Sequence, residues 1–346
     1  MRESRVHLQR DWEVSRKHKI LFITQVISPS FSQDLKILEK HFDVTVYDFE
    51  VKKNAGKELV KWMLKNGSKY NLVYCWFGDV FATIAVLTSK FLRKKSMIMA
   101  GGYDTTFIPE INYGFLSSGR NRLYAKIHFG LADKVIPVDE SLRAALMENL
   151  SLRGNNMVAV HTVYDSKFWQ PEGKKEDVVV TTLGVNRERI LRKGIDTYVS
   201  CAKRLPDVRF VVVGKISPDA KEFIKKAPRN VVFTDYIPEE ELLNYYRRAK
   251  VYCQLSLYEG IPNALCEAML CECVPVGTRV CGIPTAIGDA GYYVPYGDVE
   301  ATTEAIKKAL ADGGKGKLAR ERIRNMFPLE KREKQLVEII NNLIVK

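Results

Sequence analysis

The order of apolar runs along this chain predicts an α/β protein made of two domains, each a doubly wound parallel sheet. Short apolar runs alternate with amphipathic helical stretches almost from end to end, the pattern of βαβ units. The alternation breaks once, at a stretch from 165 to 177 that holds Pro171, Gly173 and a short charged run, and it starts afresh at Val178. Length agrees, because 346 residues exceed one ordinary domain and suit two with cores of their own. The expected division is 1–166 and 167–324, with a last helix at about 325–346.

In the first half, Lys19–Thr24 reads as the first strand, 34–41 as a helix and 44–47 as the second strand. Leu72–Trp76, 97–100 and 132–138 continue the sheet, with helices at 81–91 and from Glu140 onward. Ligands of such sheets lie beyond the strand C-terminal ends, which points to the loops after Thr24, Trp76 and Ala100. After Ala100 come Gly101, Gly102, Tyr103 and Asp104. Two glycines let another backbone approach closely. The Asp either accepts hydrogen bonds from sugar hydroxyls or caps a tight turn, and the sequence leaves both open. Lys57, Lys61 and Lys65 share a helical stretch with Trp62, either as a solvated face or as an interfacial one.

In the second half, 178–184 is a strand ending in Gly, followed by Arg187, Arg189, Arg192 and Lys193 before Gly194 opens a helix. Cations placed there would stabilise the negative charge of a leaving diphosphate. Strands follow at 208–214 and from Val231, then a loop through Tyr236 and Ile237 and a helix at Glu239–Arg248. A strand at 251–255 then runs into the loop 256–261, and Pro262 suits the first turn of a helix carrying Glu267. Free amides at such a helix start favour anionic or polyhydroxyl ligands, and two carboxylates flank it, Glu259 and Glu267.

Glu259-Gly260-Ile261-Pro262-Asn263, then Glu267-Ala268-Met269, then Val274-Pro275-Val276 together resemble the donor-site signature of retaining glycosyltransferases of family 4, with seven residues between the two glutamates. The resemblance implies the GT-B fold: two facing Rossmann-like domains, an active-site cleft between them, and a last helix that crosses back onto the first domain. It implies transfer of a hexose from a nucleoside-diphosphate sugar to an acceptor on the first domain, with retention and without a nucleophile, cofactor or divalent metal. Glu259 and the backbone of Gly260, Ile261, Pro262, Asn263 and Ala264 would hold the sugar, Glu267 the ribose and Lys193 the diphosphate, with Glu259 and Lys193 as the catalytic pair. Tyr236 and Ile237 would line the base pocket. Lys193-Gly194 matches the family's Lys-Gly, but Val185 stands where an Arg usually follows the Gly, so Arg187 or Arg189 is expected to substitute. Gly102, Tyr103 and Asp104 would line the acceptor side, where Gly101 replaces a usual His. Glu272, Cys281-Gly282 and Ser28-Pro29-Ser30 also depart from the family's glycines. The resemblance runs from about 178 to 310 and is loose before that.

A composition of 46% hydrophobic and 27% charged residues is that of a soluble globular protein, and no apolar run approaches the roughly 20 residues that span a bilayer. Residues 1–19 read as a loose basic extension, not a signal peptide. The net charge of +13 suits nucleotide phosphates, anionic lipid surfaces or acidic polymers. No zinc finger, RNP-type aromatic pattern or concentrated basic helix directs it to nucleic acid. The expected partners are a nucleotide-sugar donor, a saccharide or lipid-linked acceptor and an anionic membrane surface; the expected place is the cytoplasm, including the inner face of the membrane. Seven cysteines without Cys-x-x-Cys pairs read as buried free thiols rather than zinc ligands, which fits a reducing compartment.

Four rival readings remain for comparison. A nucleotide-sugar-binding subunit without transferase activity would keep the donor motifs. An epimerase of the same architecture needs an acid–base pair that the sequence does not offer. A dehydrogenase lacks its Gly-x-Gly-x-x-Gly after an early strand. A retaining glycosidase needs two carboxyls about 5 Å apart around one anomeric carbon, whereas Glu259 and Glu267 would grip different parts of one donor.

Overall fold

The computed structural model describes residues 17–25 and 29–345. Its first sheet joins β1 (Lys19–Thr24), β2 (Asp43–Asp48), β3 (Leu72–Trp76), β4 (Lys95–Ala100) and β5 (Lys134–Pro137) in the order β2-β1-β3-β4-β5. The second joins β6 (Glu176–Thr182), β7 (Arg209–Val213), β8 (Val231–Phe233), β9 (Ala249–Gln254), β10 (Val274–Thr278) and β11 (Tyr292–Val294) in the order β11-β10-β9-β6-β7-β8. Every adjacent pair is parallel. The basic stretch before Lys17, and Ser28 in the first loop, lie outside the described residues.

Parallel strands buried on both faces carry near-continuous apolar runs, and β3 and β10 are buried along their whole length. Side chains alternate between faces. Val73 and Cys75 of β3 therefore pack with Leu59, Met63, Phe81 and Val86 from helices Ala55–Asn66 and Val80–Phe91. Leu72, Tyr74 and Trp76 face the other way, toward Ile37, Leu38 and two residues from the end of the chain, Leu336 and Ile340. Helix Leu329–Val345 thus returns to the first sheet.

What holds that return is a buried ion pair. The Arg332 guanidinium donates to both Asp34 oxygens (2.5 and 2.6 Å) and to the carbonyls of Val160 (2.9 Å) and His161 (2.6 Å), which lie on the segment between the sheets. Tyr74 donates its hydroxyl to the same carboxylate at 3.3 Å.

The connections explain where ligands would sit. They leave β6 and β9 in opposite directions, and the same happens at β1 and β3, so each sheet opens a crevice beyond the C-terminal ends of those strands. Lys57, Lys61 and Lys65 lie on the exposed side of helix Ala55–Asn66, while Trp62 packs between Tyr47 (5.1 Å) and Tyr70 (6.2 Å). The short helix Arg187–Arg192 lies where the sequence reads as a loop. Six residues are too few to show a period, but its cap is visible: the Asn186 side chain accepts from the Arg189 N–H at 2.7 Å.

Arg332 and Asp34 side chains are only 2% and 1% exposed, so removing one partner strands the other in the interior. Arg332→Ala is expected to lower the unfolding free energy by about 3–5 kcal/mol in denaturant titration, and Asp34→Leu with Arg332→Met to recover part of that loss.

Candidate active site

The loop after β9 is sewn to the segment after β6. The Leu257 N–H donates to the Arg192 carbonyl (2.8 Å), and the Thr278 hydroxyl to the Ser256 carbonyl (2.6 Å). Gly194 makes the contact possible. Its φ of +65° starts helix Ile195–Arg204, and a Cβ there would lie 2.3 Å from the Leu255 carbonyl oxygen. Lys193 is thereby fixed beside the end of β9. Its ammonium pairs with Glu259 Oε1, which also accepts from the Gln254 amide (2.9 Å) and the Ser256 hydroxyl (2.7 Å). Gln254 in turn accepts from the Tyr252 hydroxyl at 3.2 Å. Three donors on one oxygen hold the carboxylate in place, and one of them is a cation free to exchange partners.

Pro262 caps helix Asn263–Leu270 with extended backbone, leaving the first amides of the helix without intrahelical partners. The Tyr164 hydroxyl donates to Asn263 Oδ1 at 3.1 Å and ties this start to the segment between the sheets. Glu267 sits one turn further along. Burial, with a smaller push from Glu239, raises its pKa to about 8. The two glutamates therefore differ in setting: Glu259 is paired with a cation, whereas desolvation dominates at Glu267.

Loops of the first sheet close onto this arrangement. A Cβ at Gly260 would lie 2.3 Å from the Gly101 carbonyl oxygen, so the two backbones touch only because residue 260 lacks a side chain. The Tyr258 and Thr105 hydroxyls are 3.0 Å apart. Arg192, paired with Glu188, lays its guanidinium over the Tyr113 ring at 4.0 Å.

Residues 178–312 match the model of the family described as glycosyl transferases group 1. That stretch, in the second half of the chain, is similar to the group 1 glycosyl transferases. The chain is 22% identical over 263 residues to a phosphatidylinositol N-acetylglucosaminyltransferase subunit of Arabidopsis thaliana, covering 68% of this chain and 59% of that one. It is 26% identical over 189 residues to the alpha-galactosylglucosyldiacylglycerol synthase of Streptococcus pneumoniae, covering 49% of this chain and 50% of that one. The matched stretches thus span between half and three-fifths of those two relatives' length. Among solved structures, the Anabaena protein HepE in complex with UDP superposes with a TM-score of 0.76 at 16% identity, over 94% of this chain and 100% of that one. The two-sheet architecture is the GT-B fold.

Within this fold the structure brings Lys193, Glu259 and Gly260 together, with Glu267 on the helix that follows. Arg189 turns back over the end of β6, against Gly184, while Arg187 is exposed with its backbone N–H donated to Asp219 at 3.1 Å. Tyr236 presents an exposed ring, and Ile237 packs into the second core. The loop holding both is fixed by Asp235, which accepts from the N–H groups of Ile216 (3.1 Å) and Tyr236 (2.7 Å).

Asp104, expected on the acceptor side, clamps the turn after β4. It is buried, and its carboxylate accepts from the N–H groups of Gly78 (3.0 Å), Gly101 (3.1 Å) and Gly102 (2.9 Å). Of the two uses the sequence leaves open, it is the turn clamp. Two residues that sequence reasoning does not assign adjoin the site, Gln254 and Ser256, which position Glu259, while Arg192 of the expected basic cluster turns to the Tyr113 ring. A Gln closing an otherwise apolar buried strand is the signal that could have found the first.

The state of Glu267 makes a pH-dependent expectation. To accept hydrogen bonds from ligand hydroxyls as a carboxylate it must first lose its proton. Nucleoside-diphosphate affinity is therefore expected to rise by up to about tenfold per pH unit from 6 to 8 and to level off above, in calorimetric titration. Glu267→Gln should flatten the profile. The stability sign runs the other way. A carboxyl whose folded pKa is raised costs stability as pH climbs from the unfolded value of 4.5 to about 8, so Glu267→Gln should raise Tm at pH 8 and leave it nearly unchanged at pH 4.

Proposed function

We propose that the protein transfers a hexose, with retention of anomeric configuration, from a nucleoside-diphosphate sugar held by residues 167–324 to an acceptor held by residues 1–166. The observation that carries this reading is the Lys193–Glu259 pair beside the open start of helix Asn263–Leu270. A donor arriving there gives each partner a replacement: the diphosphate for Lys193 and sugar hydroxyls for Glu259. Glu259 stays in position during the exchange because Gln254 and Ser256 still donate to it. The N–H groups of Gly260, Ile261 and Ala264 add positive potential, and Glu267 takes the ribose hydroxyls.

In the reaction the bond between the anomeric carbon and the diphosphate oxygen breaks while the acceptor oxygen attacks from the same face. The acceptor's proton passes to the departing phosphate oxygen. Negative charge grows on the diphosphate, where Lys193 and the nearby Arg189 stabilise it more in the transition state than in the ground state. No nucleophile, resident cofactor or metal enters this reading. Tyr236 and Ile237 border the base.

The acceptor is a saccharide or a lipid-linked one. Two relatives bear the names of a phosphatidylinositol and a diacylglycerol enzyme, which supports a lipid. Among the described residues no helix is long and apolar enough to cross a membrane. The basic face of Lys57, Lys61 and Lys65 supports peripheral contact with an anionic leaflet, at the cytoplasmic side in this reading.

Lys193→Ala is expected to lower the transfer rate by about 10²–10³-fold while changing nucleotide affinity much less. Gln254→Ala should reduce the rate more modestly through a looser Glu259. Proton NMR of the product should show the donor's anomeric configuration. An inverted product, or a Lys193→Ala enzyme with the wild-type rate, would remove the reading.

A further inference from the structure

The first sheet has a crevice of its own that the donor reading leaves unused. Beyond β1 and β3, at the point where the connections diverge, Gln25, Phe77, Phe81, Tyr103 and Phe115 border a cavity of about 380 Å³. Open α/β sheets hold ligands at this point, and the volume is that of a small-ligand site. It opens beside the Gly101–Gly102 loop, which touches Gly260 of the donor loop.

Its lining says what it would accept. Four of those walls are aromatic rings, and the carboxylates beside them are already engaged. Asp104 accepts three backbone N–H groups, and Asp79 caps helix Val80–Phe91 by accepting from the Val80 N–H. Apart from the Gln25 amide and the Tyr103 hydroxyl the walls offer few partners, so a sugar pushed into this space would leave most of its hydroxyls unpaired, which is costly, whereas a hydrocarbon has none to pair. Phe77 carries the second sign. Its φ of +79° is an outlier for a bulky residue, and such strain is kept at ligand sites where the surroundings enforce it. Its ring fills the space beside Gly101, where a Cβ would lie 2.2 Å away. The position that carries His in the resembling family is thus closed by an apolar wall.

The helix that starts at the cavity also carries exposed apolar side chains. Val80, Leu87 and Phe91 are all exposed and recur at i, i+7 and i+11, on one face of the helix that starts at the cavity. A compact ring would need only the cavity. An extended chain would use both.

We propose that the acceptor carries a hydrocarbon chain whose near end seats in the Phe77–Phe81–Phe115 cavity, placing the accepting hydroxyl at Gly101–Gly102 beside the donor sugar. This rests on the transfer reaction proposed above and narrows its acceptor to an amphiphile.

The test is calorimetric binding of methyl, butyl and octyl β-glucoside below micelle-forming concentrations, with phenyl β-glucoside as the ring control and a nucleoside diphosphate titrated into the same preparation. Affinity should rise with chain length, by at least tenfold from methyl to octyl. Octyl should exceed phenyl. Tyr103→Asp, a charge at the exposed wall, should abolish the gain, and Tyr103→Phe, which keeps the ring, should retain it. Equal affinity across the series, a phenyl glucoside that matches octyl, or a gain that survives Tyr103→Asp would overturn the proposal while leaving the transfer reading standing. A preparation that binds no nucleoside diphosphate would instead overturn the transfer reading and the acceptor proposal with it.

Discussion

In a parallel sheet every loop that leaves a strand C-terminus emerges on the same edge, and in this chain the loops at two such edges meet each other. The Gly101–Gly102 turn after β4 and the Gly260 loop after β9 touch backbone to backbone, with 2.3 Å between the Gly101 carbonyl oxygen and the place where a Cβ at residue 260 would sit. Everything assigned to the site hangs from that geometry. Lys193 belongs to the segment after β6, Glu259 to the loop after β9, and the aromatic walls of the cavity to the segments after β3 and β4. The topology brings them together from sequence positions far apart. The Arg332–Asp34 pair then fixes the long helix that returns from the second half to the first, and through Val160 and His161 it fixes the link between the sheets.

Electrostatics gives the two signature glutamates different tasks. Glu259 rests in a compact network of a cation, an amide and a hydroxyl, so it is preformed and can trade one partner without losing its place. Preorganised polar groups of this kind are where most transition-state stabilisation in transferases without a covalent intermediate must come from. Among the described residues Glu267 has no comparable partner, and burial, with a smaller push from Glu239, raises its pKa to about 8. Arriving hydroxyls would restore the solvation it has lost.

Much of the fold was legible because burial writes itself plainly on parallel strands. The runs at Lys19–Thr24 and Leu72–Trp76 and the helix at Glu239–Arg248 stand at the positions the sequence gives them, and other elements shift by a few residues. The strand expected at 251–255 begins at Ala249, since Ala249 and Lys250 extend the pairing without adding to the apolar run. The strand-to-helix turn after β9 was legible for a different reason: Gly260 and Pro262 mark where the strand ends and the helix Asn263–Leu270 begins. What stayed hidden depends on contacts distant in sequence. Asp104 turns inward because the Gly78 N–H arrives from the loop after β3. Arg192 finds Tyr113 only when the two halves face each other. The emptiness beside Gly101 is filled by Phe77, which no local pattern announces.

If the Lys193–Glu259 pair marks a nucleotide-sugar site, calorimetric titration with UDP, GDP and ADP, without added metal, will show saturable one-to-one binding of one of the three, weakened when Glu267 is replaced by Ala. Absence of binding by all three, or binding indifferent to Glu267→Ala, would contradict that assignment.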